Sequence, residues 1–479
     1  MMCIDAFQVK REIVMVQSDW DPALEDGPGA VWERLVAALG RDIATGTVSA
    51  GERLPPQRDL AYRLGLSVGT VSRAYAEAER RGLVASHVGR GTFVTENRGM
   101  TADHRPAMDR INLSMNVPPI GPVLGVGVRT IEELARRVDL GAVFDYTFTA
   151  GLSAVREAGA AWLREQGGVA RASADRLIQT GGGQNALAIA CSSFARPGDA
   201  VLCDVATYPG NRTIADHGGW HLRGVPADGR GMDPQALDRI AQESGARLLM
   251  LIPTLHNPTT LTMDSGRREE IVAVARARDL LIVEDDIYRV FGTDDEPPPF
   301  ADLAPERVIH VSSMSKALSP GLRLGFILAP QDDGLFERLL LAAQATGYCP
   351  PAASGLILAG WLENGMAARI LGDVRAEMAR RNALARGLLG DAVAPCASQR
   401  SLHLWLPMEA ERARQVYERA LIANVELTPP DAPFVEGHAP SGLRVCLGQP
   451  LDASSLEQGL LALKSVLQTD HHANGRGII

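Results

Sequence analysis

Apolar residues at Val31, Leu35, Val36, Leu39 and Ile43 recur at helical spacing, which predicts a first helix ending near Gly46. After the loop Gly51-Glu52-Arg53-Leu54-Pro55-Pro56, residues 57–64 read as a second, short helix closed by Gly65. Ser67 is placed to cap a third helix with Val71, Ala74, Tyr75 and Ala78 on its inner side, and Gly82 marks its end. Residues 83–87 and 91–94 follow as two short strands joined through Val88-Gly89-Arg90. Three helices and a hairpin predict a winged helix-turn-helix over residues 30–95, preceded by an N-terminal extension, 1–29.

Residues 96–110 turn polar and lose periodicity, with Gly99, Pro106 and three arginines, as a linker would. Beyond it, apolar runs at 176–179, 200–203, 248–252, 280–283 and 308–311 alternate with helical segments. That alternation predicts an α/β body over 111–468 with a mostly parallel sheet. From about residue 375, helical stretches with the apolar runs 403–406 and 443–447 predict a small C-terminal α+β subdomain within that body. Residues 469–479 have little to bury and read as a tail.

A chain of 479 residues is long enough for two or three domains, and 46% hydrophobic with 22% charged residues is ordinary for a globular protein. Its six cysteines are scattered without a C-x-x-C pair, which offers neither a zinc site nor a disulfide framework and favours a reducing compartment. No apolar run approaches bilayer length and the first residues lack a signal-peptide pattern, so a cytoplasmic location without membrane contact is expected. The net charge of −9 conceals an asymmetry. Residues 30–95 carry nine arginines against six acids, a balance of +3, which leaves −12 for the rest. A basic module on an acidic body points to a dedicated anion-binding part.

In a helix-turn-helix the second helix of the pair enters the major groove, and its first residues meet base edges. The exposed candidates there are Ser67, Gly69, Thr70, Ser72 and Arg73, while Arg58 and Arg90 suit phosphate or minor-groove contacts. The run Leu54-Pro55-Pro56-Gln57-Arg58-Asp59-Leu60-Ala61, then Leu64-Gly65-Leu66-Ser67, Thr70-Val71, Ala74-Tyr75 and Gly89-Arg90-Gly91-Thr92-Phe93-Val94, resembles the DNA-binding domain of the GntR family. That family often has arginine directly after the serine that begins the recognition helix. Here Val68 and Gly69 follow, which leaves Arg73 as the expected base reader.

The body's chemistry centres on Lys316, one of only three lysines, in Ser312-Ser313-Met314-Ser315-Lys316-Ala317-Leu318-Ser319-Pro320-Gly321-Leu322-Arg323. A lysine amine among hydroxyls, with an arginine beyond, suits pyridoxal 5'-phosphate, whose aldehyde takes the amine as a Schiff base. Five further segments agree in order. They are the glycine turn Thr180-Gly181-Gly182-Gly183-Gln184, Tyr208, His256-Asn257-Pro258-Thr259, Asp285-Asp286-Ile287-Tyr288 and a late Arg444.

Together they resemble fold-type I aminotransferases. The resemblance implies Lys316 as the Schiff-base lysine, Asp285 as partner of the pyridine nitrogen, and Asn257 and Tyr288 as partners of the ring oxygen. It implies Gly183, Gln184, Ser313, Ser315 and Arg323 as phosphate holders, and Tyr208 as the stacking ring. Tyr146 would reach the phosphate of a neighbouring subunit, and Arg444 would clamp the carboxylate of a substrate. Thr259-Thr260 departs from the commoner threonine-glycine.

A GntR-type winged helix joined to such a body resembles the MocR subfamily of transcription regulators. That implies a homodimer binding a double-stranded DNA operator and sensing an amino compound or amino acid by Schiff-base exchange at Lys316. The alternative is a catalytically active aminotransferase carrying a DNA-binding domain, because Asn257, Asp285, Tyr288, Lys316 and Arg444 are all retained.

Overall fold

A computed structural model describes residues 20–24, 30–44, 47–49, 51–80, 83–87, 91–94, 110–124, 126, 127, 130, 140–293, 295–396, 398–435, 437, 438 and 441–473. Arg90, most of the expected linker and the end of the tail lie outside the described residues. The chain divides into two compact units, Met1–Met108 and Asp109–Ile479.

In the first unit, helices α1 (Val31–Ala44) and α2 (Gln57–Leu64) pack on α3 (Val68–Arg80), followed by the antiparallel strands β1 (Val84–His87) and β2 (Gly91–Val94). Leu35, Leu39, Leu60, Val71, Tyr75 and Ala78 fill its core. Two of the predicted caps form: Gly65 closes α2 in the left-handed conformation, φ 63°, and Ser67 Oγ accepts the Thr70 N–H at 3.1 Å, while Gly46 and Gly82 lie outside the described residues. One residue of the expected extension is part of this core. Trp20 is buried, donates from Nε1 to Asp42 Oδ2 at 2.7 Å, and its carbonyl accepts from Arg63.

The second unit begins with β3 (Ile111–Asn112) and builds a seven-stranded sheet from β4 (Leu177–Thr180), β5 (Ala200–Asp204), β6 (His221–Val225), β9 (Leu248–Leu251), β10 (Leu281–Asp285), β11 (Val308–Ser313) and β12 (Gly325–Leu328). The short hairpin β7 (Ala227–Asp228) and β8 (Gly231–Met232) follows β6. The strand order is β4-β12-β11-β10-β9-β5-β6, and only β12 runs against its neighbours.

Side chains alternate between two cores. Leu177, Leu202, Leu249 and Ile282 face one, and Ile178, Val201, Leu248 and Val283 face the other. Burial on both faces is why these strands appear in the chain as continuous apolar runs. Two strands of this sheet escaped prediction. β6, His221-Leu222-Arg223-Gly224-Val225, is an edge strand with exposed polar positions. β12 starts two residues after Arg323 and is hidden within the lysine segment's tail.

The C-terminal subdomain pairs β13 (His403–Pro407) antiparallel with β15 (Gly442–Cys446), flanked by helices Met366–Leu389, Ala410–Ile422 and Ala453–Ala473. It also recruits the start of the body: β14 (Val425–Glu426) pairs in parallel with β3, Val425 opposite Ile111. A boundary near residue 375 therefore misses a segment that is distant in sequence. This pairing places residues 113–118 against the end of the main sheet.

Candidate cofactor site

β4, β9, β10 and β11 all point the same way, so the segments leaving their carboxyl ends gather along one edge of the sheet, where open α/β sheets hold ligands. β4 leads into the glycine turn, β9 into the Asn257 loop, β10 ends on Asp285, and β11 ends on Ser313, three residues before Lys316.

The turn after β4 is shaped for a tight approach. Gly182 has φ 103°, and a Cβ there would lie 2.8 Å from Arg323 Nη2. Arg323 donates from Nη2 to the Gly181 carbonyl at 3.0 Å, and Gly183 faces Ser313. Ser313 Oγ bonds to Ser315 Oγ at 3.1 Å and accepts the Ser315 N–H at 3.2 Å. Gln184 donates from Nε2 to the Gly210 carbonyl at 3.2 Å, while its Oε1 is buried without a partner. The predicted phosphate-holding set, Gly183, Gln184, Ser313, Ser315 and Arg323, thus converges on one helix start with free backbone amides. Tyr208 stands half-buried at the same turn, its ring lying where a side chain on Gly210 would clash.

Asp285 is buried and its Oδ1 has no hydrogen-bond partner. Burial, reinforced by the neighbouring Asp286, pushes its carboxyl up to about 7. Its neighbour Glu284 is fully engaged instead, accepting from the amides of Phe300 and Ala301 and pairing with His310 at 2.8 Å. Burial also holds Lys316 down at about 8, and its Nζ donates to the Asn116 carbonyl.

Tyr288 accepts from Asn116 Nδ2 at 3.0 Å and from Asn257 Nδ2 at 3.3 Å, and burial raises its phenol, so its own proton stays available to donate. Arg444, on β15, crosses to the main sheet: Nη1 donates to Asn257 Oδ1 at 2.7 Å and Nη2 to Thr428 Oγ1 at 2.8 Å and to the Ser114 carbonyl at 3.0 Å. Its buried Nε is unpartnered.

Tyr146 lies elsewhere, 79% exposed, with its ring edge-on to Tyr348 at 5.1 Å. Thr260 adopts φ 62°, a left-handed conformation that glycine enters without strain, which gives the Thr259-Thr260 departure a geometry. In the first unit, Arg58, Ser67, Gly69 and Arg73 are exposed, Thr70 and Ser72 partly so.

Four residues of the cofactor site were not foreseen: Ser114, Asn116, His403 and Thr428. Asn116 Nδ2 also lies 3.1 Å from His403 Nδ1, and His403 Nε2 lies 3.3 Å from the His256 carbonyl. Burial, then Arg444, depresses His403 to about 3, so it remains neutral. The one signal for it was a histidine within an apolar strand. Asn116 offered only its place before Val117-Pro118-Pro119.

Residues 108–462 match the family described as Aminotransferase class I and II. The chain belongs to that family. Residues 32–94 match the family described as bacterial regulatory proteins, gntR family. The uncharacterized HTH-type transcriptional regulator YdeF of Bacillus subtilis is 28% identical over 457 residues, covering 94% of this chain and 96% of the relative. The 2-aminoadipate transaminase of Thermus thermophilus is 27% identical over 332 residues, 67% of this chain and 81% of that enzyme. The α-aminoadipate aminotransferase LysN of Thermus thermophilus, solved with N-(5'-phosphopyridoxyl)-L-leucine, superposes with a TM-score of 0.66 at 25% identity over 76% of this chain and 93% of that one.

An aminotransferase body of this class implies pyridoxal 5'-phosphate as cofactor. The residues present fit that group: a buried carboxyl oxygen without a partner, a largely buried lysine, and a cradle that a Cβ on Gly182 would invade. Among the described residues no helix is long and apolar enough to cross a membrane.

Proposed function

We propose that this chain is a cytoplasmic, homodimeric transcription regulator whose aminotransferase-class body senses an amino compound at Lys316 and whose winged helix binds an operator. The observation that carries this reading is the joining, on one chain, of a gntR-family module at 32–94 to an aminotransferase body at 108–462, as in a regulator-named relative matched over nearly its full length. We assign residues 30–95 to DNA, 96–110 to a linker and 111–468 to sensing. The aromatic residues Phe144, Tyr146 and Phe148, at least 79% exposed, support a second copy docking on the body.

Bound at this site, pyridoxal 5'-phosphate supplies an aldehyde for an amine and a ring that withdraws electrons. Lys316, its amine lowered to about 8 by burial, would be the group that takes it covalently. Asp285 would offer its unpartnered oxygen to the ring nitrogen and favour a proton there, Tyr288 and Asn257 would serve the ring oxygen, and the Gly183, Gln184, Ser313, Ser315 and Arg323 cradle would hold the phosphate. Tyr208 would lie against the ring, and Tyr146 would serve the partner's phosphate. Arg444, oriented by Asn257, Thr428 and Ser114, clamps the carboxylate of an incoming amino acid. An amino ligand that took the place of Lys316 on the cofactor would give up a proton as its nitrogen bonded there, and Lys316, released with that proton, would be held by the Asn116 carbonyl. That exchange separates two states whose populations an amino ligand shifts.

The test follows the visible absorbance of the cofactor-loaded protein and its retention of duplex DNA together, across a panel of amino acids, with Lys316→Ala alongside. Coupled changes in the wild type, absent in Lys316→Ala, are expected. An amine that shifts the absorbance and leaves DNA affinity unchanged would sink the sensing step. The second reading, a working aminotransferase, rests on the complete set Asn257, Asp285, Tyr288, Lys316 and Arg444 in one site. Amino transfer at enzymic rates without DNA retention at physiological salt would establish it.

A further inference from the structure

Thr70, Ser72 and Arg73 on the outer side of α3 each make a contact within their own unit, Arg73 through its ring contact alone, which leaves its N–H donors for phosphates. Ser67 Oγ accepts the Thr70 N–H at 3.1 Å and lies 2.8 Å from Thr70 Oγ1, so one hydroxyl donates to the other and one hydroxyl proton remains over. Ser72 donates to Gln57 Oε1 at 2.6 Å, and the Arg73 guanidinium sits 4.4 Å from the Trp32 ring centroid. At the very start of α3 stand Val68, 44% exposed, and Gly69, where a Cβ would meet only Ser67 Oγ, at 3.8 Å. An exposed isopropyl group and a bare glycine have no donor or acceptor to offer a base edge.

Base edges differ in what they ask of a partner. Guanine presents two acceptors to the major groove and adenine an acceptor and a donor, which arginine or amide side chains satisfy in pairs; thymine alone adds a methyl group. An isopropyl group set against guanine would strip water from N7 and O6 without replacing it, which is unfavourable. Against a thymine methyl the same group buries apolar surface on both sides.

We propose that α3 reads its half-site through an apolar contact between Val68 and the 5-methyl group of a thymine, with Gly69 allowing the backbone close to the groove floor. This rests on the DNA-binding reading above and specifies the base that the recognition helix selects. Arg58 and Arg73 then serve phosphates, and the sequence preference comes from a contact without hydrogen bonds.

The experiment selects bound duplexes from a random pool with the full-length chain, then replaces thymine by uracil at each selected position. Uracil keeps the pairing face and removes only the methyl group. Wild-type chain is expected to select a thymine at one position per half-site and to bind the uracil duplex about 4-fold more weakly there, the worth of one buried methyl group. Val68→Ala, at an exposed position, should bind both duplexes alike, and Val68→Arg should shift selection toward guanine. Equal wild-type affinity for thymine and uracil duplexes, or selection of a guanine that depends on Arg73, overturns the proposal while leaving DNA binding intact. Retention of no duplex at all overturns the regulator reading itself, and this inference with it.

Discussion

At the scale of single residues, burial does the chemical work at Lys316 and Asp285, and it acts in opposite directions. Desolvation disfavours the charged form of each, so the amine falls to about 8 and the carboxyl rises to about 7. A lysine with that value is roughly a tenth neutral at pH 7, against well under a thousandth for a free side chain. The rate of cofactor uptake, followed by absorbance, should therefore climb with pH and level off above about 8. A rate still rising tenfold per unit beyond pH 9.5 would show an ordinary lysine.

For Asp285 the folded value lies above the unfolded one, so its contribution to stability is present below the unfolded value, about 4, and is lost as pH rises through about 7. Asp285→Asn should stabilise the cofactor-free protein at pH 7.5 by on the order of 1–3 kcal/mol and flatten that pH dependence in thermal melts. Unchanged melting across pH 4–8 relative to wild type would refute the assignment. Asn116 tethers Tyr288 and His403 and accepts from Lys316. Removing that amide in Asn116→Ala should shift the pH at which the loaded protein changes colour, while His403, already neutral, adds no charge of its own.

At the scale of elements, the site is a set of strand ends. The motifs from the glycine turn to Lys316 each follow an apolar run because, in a parallel sheet, function collects where the backbone leaves the strands, whereas Arg444 reaches in from within β15. The turn after β4 shows how little room is left. Gly182 holds a φ of 103°, and the space beside it is filled by Arg323. Gly182→Ala should cost about 1–3 kcal/mol in backbone strain and push Arg323 off the cradle, weakening cofactor affinity at least tenfold by absorbance titration. An unchanged affinity would mean that the cradle does not hold the phosphate.

The first unit was legible almost helix by helix, since its caps, glycines and apolar faces are local signals. The engagement of its polar groups was not: Arg73 pairs with Trp32 on α1 and Ser72 with Gln57 on α2, contacts that no spacing along α3 reveals.

At the scale of the molecule, a +3 module at residues 30–95 in a chain whose remainder carries −12 divides the work by charge. DNA retention should fall steeply with salt, by on the order of a hundredfold or more between 50 and 200 mM, while cofactor uptake barely responds, because one rests on phosphate contacts at a surface and the other on a buried site. A salt-independent DNA affinity would remove the arginines from the interface.

By itself the sequence determined the two parts, their order, most elements and the motif residues, because hydrophobic period, caps and short motifs are written in neighbouring positions. Tertiary structure alone decided that β12 inserts antiparallel between β4 and β11, and that β3 joins the C-terminal subdomain. The same packing brings Ser114, Asn116, His403 and Thr428 around Lys316, Tyr288 and Arg444. These contacts close between segments far apart in the chain, where burial and hydrogen-bond satisfaction, rather than local pattern, choose the partner.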